Sequence, residues 1–286
     1  MSVRVITDSS NYVPQEELDA LGVARVSLYV HDKDEMRPET EIDLDAFYRR
    51  LADTRVIPTS SQPSLEKLVE VFSNAVADGS DALGVFISRK MSGTVETAEL
   101  AAETVRERLP NACIMVVDSA SNCLQEGFAA LRAAEKAASG ASLAECAEAA
   151  KEAIRRTRFL FAPESLEYLA RGGRISGASA LLGSVLRIVP ILSVEEGEVV
   201  VVAKVRTRAR ALAEIGTRMR EDIEKYGFRR AAVHGIVDID AARRFAREVV
   251  DGIVGSTVPV VPIGPVVGLH VGPAVGVVYE TEEPMR

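Results

Sequence analysis

Along the first half of the chain, short runs of Val, Ile and Leu alternate with longer segments whose apolar residues recur every three or four positions. The runs at 3–7, 23–30, 83–88 and 114–117 predict β-strands. The segments at 15–21, 44–51, 65–76, 94–109, 125–138 and 143–156 predict amphipathic helices. Such alternation implies a largely parallel sheet flanked by helices. From residue 158 the rhythm changes. A short strand at 159–162 and a short helix at 164–170 lead into the loop Arg171-Gly-Gly-Arg-Ile-Ser-Gly177. Then "VPILSVEEGEVVVVAKVRT" places two β-rich runs around Glu195-Glu196-Gly197-Glu198. That is a hairpin signal, which a purely parallel sheet would not give. A helix at 207–226, a strand at 231–237, a helix at 240–250 and strands at 258–263 and 274–279 complete the pattern. The expected fold class is α/β with two domains. Residues 1–157 form an N-terminal domain with a largely parallel sheet, and 158–286 a C-terminal domain with a mixed sheet.

Composition narrows the class. Of 286 residues, 47% are hydrophobic but only 5% aromatic, so the interior is aliphatic. Length and composition suit two globular domains without low-complexity tails. A formal net charge of −8 argues against a nucleic-acid-binding protein, which would present a basic stripe. Cys113, Cys123 and Cys146 form no C-x-x-C pair and leave an odd count, so a disulfide framework is not expected. Cys113, in an apolar run, reads as a small core residue. The N-terminus enters a strand directly, without a signal peptide's apolar stretch. The most hydrophobic later window, 177–194, carries Arg187 and Pro190 and falls short of a membrane span. These features predict a cytoplasmic protein.

Glycine and histidine spacing removes several chemistries. There is no G-x-G-x-x-G dinucleotide fingerprint, no Walker A loop and no G-x-S-x-G elbow. His31, His234 and His270 are far apart and form no H-x-x-x-H pair, so no metal is expected. His234, inside an apolar strand, reads as a hydrogen-bonded core residue, and His31, at the start of a charged loop, as solvated. His270 lies in Gly264-Pro-Val-Val-Gly-Leu-His-Val-Gly-Pro273, where an extended, rigid backbone would present one polar group to a cavity. Asp8-Ser9 and Asp118-Ser119 end two strands and read first as caps of the following turns. The strand-to-helix turn Ser92-Gly93-Thr94 aims hydroxyls and backbone N–H groups at an anion, or else Ser92 caps its helix.

Six motifs occur in one order: "ITDSS" (6–10), "SSQPS" (60–64), "SRKMSGT" (88–94), "EYLARGGRISG" (167–177), "KVRTRARAL" (204–212) and "GPVVGLHVGPA" (264–274). This set resembles the DegV family, bacterial fatty-acid-binding proteins that serve as the lipid-carrying subunit of fatty acid kinase and so feed phospholipid metabolism. The resemblance runs from residue 3 to about 280. It implies a long-chain fatty acid in a tunnel between the two domains. It implies that Ser60, where the family more often has threonine, and Ser92 hold the acyl carboxylate, with Ser61 adjoining and His270 close by. Gly93 and Thr94 are secondary ligand-loop candidates. Arg171, Arg174 and Arg206 fall where the family docks the ATP-binding catalytic subunit of the kinase. The resemblance implies a carrier rather than an enzyme, with no cofactor and at most transient contact with a membrane surface.

The chemistry suits that task. A buried methylene contributes about 0.8 kcal/mol, so a long acyl tail binds strongly to an aliphatic lining. Its carboxylate must find donors, and neutral hydroxyls hold it without the bidentate grip of an arginine. Two alternatives share these residues. One is an acyl-ester hydrolase using Ser92, His270 and an aspartate such as Asp8 or Asp118. The other is a lipid sensor without kinase coupling. A phosphotransferase of the dihydroxyacetone-kinase kind would need a nucleotide or phosphohistidine site, for which the sequence offers no support.

Overall fold

In the computed structural model of the chain, the residues described are 2–32, 35–54, 56–181 and 188–285. The chain separates into two compact units. One comprises Met1–Glu41 and Thr59–Ile154, the other Ile42–Pro58 and Arg155–Arg286. In chain order, the elements of the first part are β1 (Val3–Asp8), α1 (Gln15–Ala20), β2 (Ala24–Val26), β3 (Tyr29–Asp32), β4 (Glu35–Pro38) and α2 (Leu44–Thr54). They continue with β5 (Thr59–Ser61), α3 (Leu65–Val76), β6 (Asp81–Phe86), α4 (Thr94–Arg108), β7 (Ile114–Asp118), α5 (Cys123–Ala138) and α6 (Leu143–Arg156).

The main sheet of the first unit has the order β2-β1-β6-β7, with every pair parallel. Helices α3 and α4 bury Leu68, Phe72, Ala98 and Val105 against Ile6, Phe86 and Ile114 on one face, while α5 packs on β1 and β6. Helix α3 forms where Ser64 accepts a hydrogen bond from Lys67 N (3.2 Å), a cap that satisfies one orphan amide at the helix start. Gly84 is a glycine for steric reasons. Phe72 and Phe86 meet edge to face over it, 6.3 Å between centroids, where a Cβ would fall inside the Phe86 ring's contact distance and 3.2 Å from Phe72 Cζ. A second sheet, β4-β3-β5, is antiparallel throughout.

The second unit continues with β8 (Thr157–Pro163), α7 (Glu167–Arg171), β9 (Val189–Glu195), β10 (Glu198–Val205), α8 (Arg208–Tyr226), β11 (Arg230–Ile236), α9 (Ile239–Phe245), α10 (Asp251–Val254), β12 (Val260–Pro262), α11 (Pro265–Val271) and β13 (Ala274–Glu280). Its sheet has the order β10-β9-β8-β13-β11-β12, antiparallel except for the β11–β12 pair. The expected hairpin is present. Glu196 and Gly197 both have positive φ, 49° and 85°, as a two-residue turn that matches strand twist requires. One face of the sheet packs Leu160, Ile191, Val233, Val277 and Tyr279 against Ile215 and Met219 of α8 and Phe245 of α9. His234 is a core histidine as expected, its Nδ1 2.9 Å from the Val261 carbonyl.

The fold class therefore matches the pattern, and several local expectations do not. The apolar run at 23–30 divides into β2 and β3, and β3 continues to Asp32. The helix expected at 240–250 passes through a π-helical turn, Ala246–Val250, before α10. The glycine- and proline-rich stretch around His270 is helical, not extended. Pro265 suits the first turn, where no intrahelical partner awaits its missing N–H, and Gly272 ends the helix at φ 69°. Cys113 is exposed rather than in the core, because it precedes the first residue of β7 and lies at the end of the sheet. Part of the apolar window at 177–194, residues 182–187 with Arg187, lies outside the described residues. No helix among the described residues is long and apolar enough to cross a membrane.

Overpacking sets a first test. Gly84→Ala should cost about 1–3 kcal/mol in chemical denaturation, since two ring faces must yield. A Phe86→Leu background should recover part of that loss.

Candidate functional site

In the first sheet, the connection leaving β1 runs to β2 on one side and that leaving β6 runs to β7 on the other. The carboxyl ends of β1 and β6 therefore flank a topological switch point, where open parallel sheets form a crevice. Into it run the turn after β1, Ser9–Asn11, and the turn after β6, Ser88–Gly93.

The second of these turns is built tightly. The Ser88 carbonyl accepts from Met91 N (2.9 Å) and Ser92 N (3.0 Å). Gly93 is the N-cap of α4 and offers no side chain to the helix, so the first amides of this 15-residue element have no side-chain cap. Ser92 does not take that role. Its Oγ lies 2.8 Å from Thr94 Oγ1. Two hydroxyls bring two hydrogens, and their mutual bond uses one, which leaves one O–H to donate elsewhere. Ser92 is half-buried and Thr94 fully buried. An uncapped helix start and a spare hydroxyl hydrogen together favour an anion.

The "SSQPS" segment meets this turn through Gln62. Gln62 lies over Gly93, where a Cβ would stand 2.6 Å from its Oε1. Gln62 Nε2 donates to Thr97 Oγ1 (2.7 Å), which donates to the Gly93 carbonyl (2.9 Å). Ser60 and Ser61 do not act alike. In the β3–β5 ladder Ser60 pairs with Val30 and Ser61 with Tyr29, so their side chains leave opposite faces of that sheet. Ser61 Oγ is 2.6 Å from His31 Nε2. His31, expected in solvent, is thus a half-buried member of β3 and part of this cluster. The signal for it is the alternation Tyr29-Val30-His31, which carries the apolar run at 23–30 one residue further.

Beneath these turns lies a group of buried acids. Asp8 ends β1 and caps the next turn as expected, accepting from Ser10 N (2.8 Å). It also accepts from Ile87 N (2.9 Å), which ties β1 to the exit of β6. Ser10 Oγ joins Asp8 to Glu126 of α5. Asp118 likewise caps its turn through Ala120 N (2.8 Å) and accepts from Arg89 Nε (3.1 Å). Neither aspartate is hydrogen-bonded to a histidine among the described residues, so neither holds an imidazole as a triad acid does.

In the second unit, His270 occupies the last turn of α11. Three glycines let rings approach closely there. Gly172 faces the His270 imidazole, Gly268 the Tyr48 phenol and Gly272 the Tyr168 ring. Tyr48 of α2 donates to the Ile263 carbonyl (2.9 Å), with that of Gly264 at 3.1 Å. Arg174 donates to the Gly172 carbonyl within its own loop, and Gly172 brings that loop against His270. Burial, with the Arg174 charge assisting, lowers the His270 pKa to about 4 and leaves a neutral imidazole at pH 7. Arg171, at the end of α7, and Arg206, between β10 and α8, are exposed. No group of His, Cys, Asp and Glu among the described residues could hold a metal ion.

A two-unit α/β protein with a hydroxyl turn at a parallel-sheet switch point, followed by a mixed six-stranded sheet, defines the class. This chain belongs to the DegV family: the model described as "Uncharacterised protein, DegV family" matches residues 2–282. It is 43% identical over 287 residues to a DegV domain-containing protein of Clostridium acetobutylicum, with 100% of both chains covered. Among solved structures, a DegV family protein from Thermus thermophilus, described for its fatty acid binding, superposes with a TM-score of 0.87 at 31% identity. That match covers 98% of this chain and 100% of the other. DegV of Bacillus subtilis, described as a fatty acid binding protein, gives a TM-score of 0.86 at 29% identity, covering 98% and 99%.

The histidines generate a pH test. His234, like His270, is held to about 4 by burial, below the 6.5 of an unfolded chain. A depressed value stabilises the fold fully above pH 6.5 and loses that contribution as pH falls toward 4. The urea midpoint should fall over that interval, and less steeply in His234→Gln.

Proposed function

We propose that this protein binds a long-chain fatty acid and presents its carboxylate to a partner kinase for phosphorylation to an acyl-phosphate. The observation that carries the reading is the Ser92–Thr94 hydroxyl pair at the uncapped start of α4, set at the switch point. The family relatives described as fatty acid binding supply the ligand class. Ser60 shares a strand with the Gln62 segment that covers Gly93, and we assign it and Ser61 to the head-group region. Gly93 and Thr94 shape the loop. His270 is assigned a further head-group contact, because a neutral imidazole can donate to a carboxylate or share its proton.

Burying an unpaired carboxylate costs several kcal/mol, so the head group needs these donors. Uncharged hydroxyls satisfy it and leave electron density on the oxygen that must attack phosphorus, whereas a bidentate arginine would withdraw it. We assign kinase docking to Arg171, Arg174 and Arg206, of which Arg171 and Arg206 are exposed and Arg174 half-buried, as guanidinium groups that can steer an acidic partner. A hydrolase is the weaker reading, since Asp8 and Asp118 are both engaged elsewhere.

Native mass spectrometry of protein purified from a bacterial host should show added mass matching a fatty acid, lost on delipidation. Protein purified without such mass, and unable to take up long-chain fatty acids, would overturn the proposal. Ser92→Ala should weaken fatty-acid affinity roughly tenfold or more, the scale of one hydrogen bond to a charged group. Kinase-dependent turnover should fall with it. Unchanged affinity with about 1 kcal/mol less stability would return Ser92 to a structural role. Arg206→Glu should abolish coupling to the kinase and spare lipid binding.

A further inference from the structure

Asp8, Ser10 and Glu126 are all completely buried. Ser10 Oγ lies 2.6 Å from Asp8 Oδ1 and 2.8 Å from Glu126 Oε2. A hydroxyl carries one hydrogen and cannot donate to both carboxyls at once. The surroundings decide which acid takes it. Asp8 already accepts from two backbone amides, Ser10 N at 2.8 Å and Ile87 N at 2.9 Å, which favour its anion. Around Glu126 stand two hydroxyls, Thr7 Oγ1 at 3.1 Å from Oε1 and Ser10 Oγ at Oε2, and the Asp8 carboxyl itself, a second acceptor that favours a proton on Glu126. A hydroxyl can turn to accept, whereas an amide cannot.

We propose that Glu126 is a neutral carboxylic acid in the folded protein at pH 7, and that its proton closes a hydrogen-bonded chain from α5 to the switch point. In that chain Thr7 O–H donates to Glu126 Oε1, Glu126 Oε2–H donates to Ser10 Oγ, and Ser10 O–H donates to Asp8. Every donor then has one acceptor. Asp8 and Glu126 act as positioning residues: through Ile87 N the chain holds the backbone that enters the Ser88–Gly93 turn. The inference stands apart from the identity of the ligand.

Electrostatics agree. Burial raises both carboxyls above their ordinary values, and Glu126 well above, with the Asp8 charge adding to its shift. Helix α5 packs against β1, the Ser9–Asn11 turn and β6. The titratable group that acts most on Glu126 from these is Asp8, with Cys123 on its own helix and Glu39 acting on that thiol. Glu39 is itself bonded to Ser9 and Tyr12. No basic group of the described residues stands among the main influences on either acid.

Infrared difference spectroscopy on the full chain at pH 7 tests this directly. The wild type should show a carbonyl stretch of a protonated, non-aqueous carboxylic acid, absent from Glu126→Gln. The band should shift when the protein is labelled with 13C-glutamate and stay put with 13C-aspartate. That arm needs no variant, and it separates the protein's acid from any bound fatty acid, which carries neither label. No such band, or one that follows the aspartate label, overturns the proposal. Stability gives an independent readout. A raised folded value contributes fully below about pH 4.5 and is lost as pH rises through it. Relative to Glu126→Gln, the wild type should therefore lose stability steadily as pH rises above 4.5. A difference that stays flat with pH counts against the shared proton.

Discussion

A carboxylate removed from water must be given donors, and the way Asp8 obtains them organises one end of the first sheet. Its partners come from two places: Ser10, just beyond β1, and Ile87, just beyond β6. Satisfying one charge therefore fixes two strand exits relative to each other. The Ser88–Gly93 turn starts from the second of those exits and inherits its position. The hydroxyls of Ser92 and Thr94 thus take their place from an acid at the neighbouring strand end.

In the second unit the same economy is reached by subtraction. Gly172, Gly268 and Gly272 make room for an imidazole and two phenol rings where any side chain would collide. Close packing then removes water from His270, and Arg174 discourages its protonation further. A neutral ring in the last turn of a helix is therefore a product of small residues elsewhere in the sequence. This is the opposite of the usual preference for a cationic histidine at a helix C-terminus, and burial decides the outcome.

Much of the architecture was legible because it rests on periodicity. The α/β class, the hairpin at Glu196-Gly197, and helices α3 and α6 follow from apolar spacing and turn chemistry that act locally. The motif order pointed to the family. What escaped depends on contacts distant in sequence. His31 looked solvated because its partner, Ser61, lies 30 residues away across a ladder whose strands are only three or four residues long. The segment around His270 looked extended because three glycines and two prolines mask a helix that α2 and α7 help to hold. Glu126 is hidden more deeply: inside α5 it reads as an ordinary polar position, and only Thr7, Ser10 and Asp8 reveal that it faces inward.

Tyr48 reaches a carbonyl 215 residues further along the chain. Helix α2 leaves the ribosome long before the backbone it grips at Ile263 and Gly264. During synthesis its apolar side, including the buried Phe47 and Leu51, waits while the chain runs 215 residues on from Tyr48 to Ile263. Loop-closure entropy makes such distant pairings slow to form. Until Ile263 is made, the nascent chain carries α2 without the carbonyl that Tyr48 grips in the folded unit.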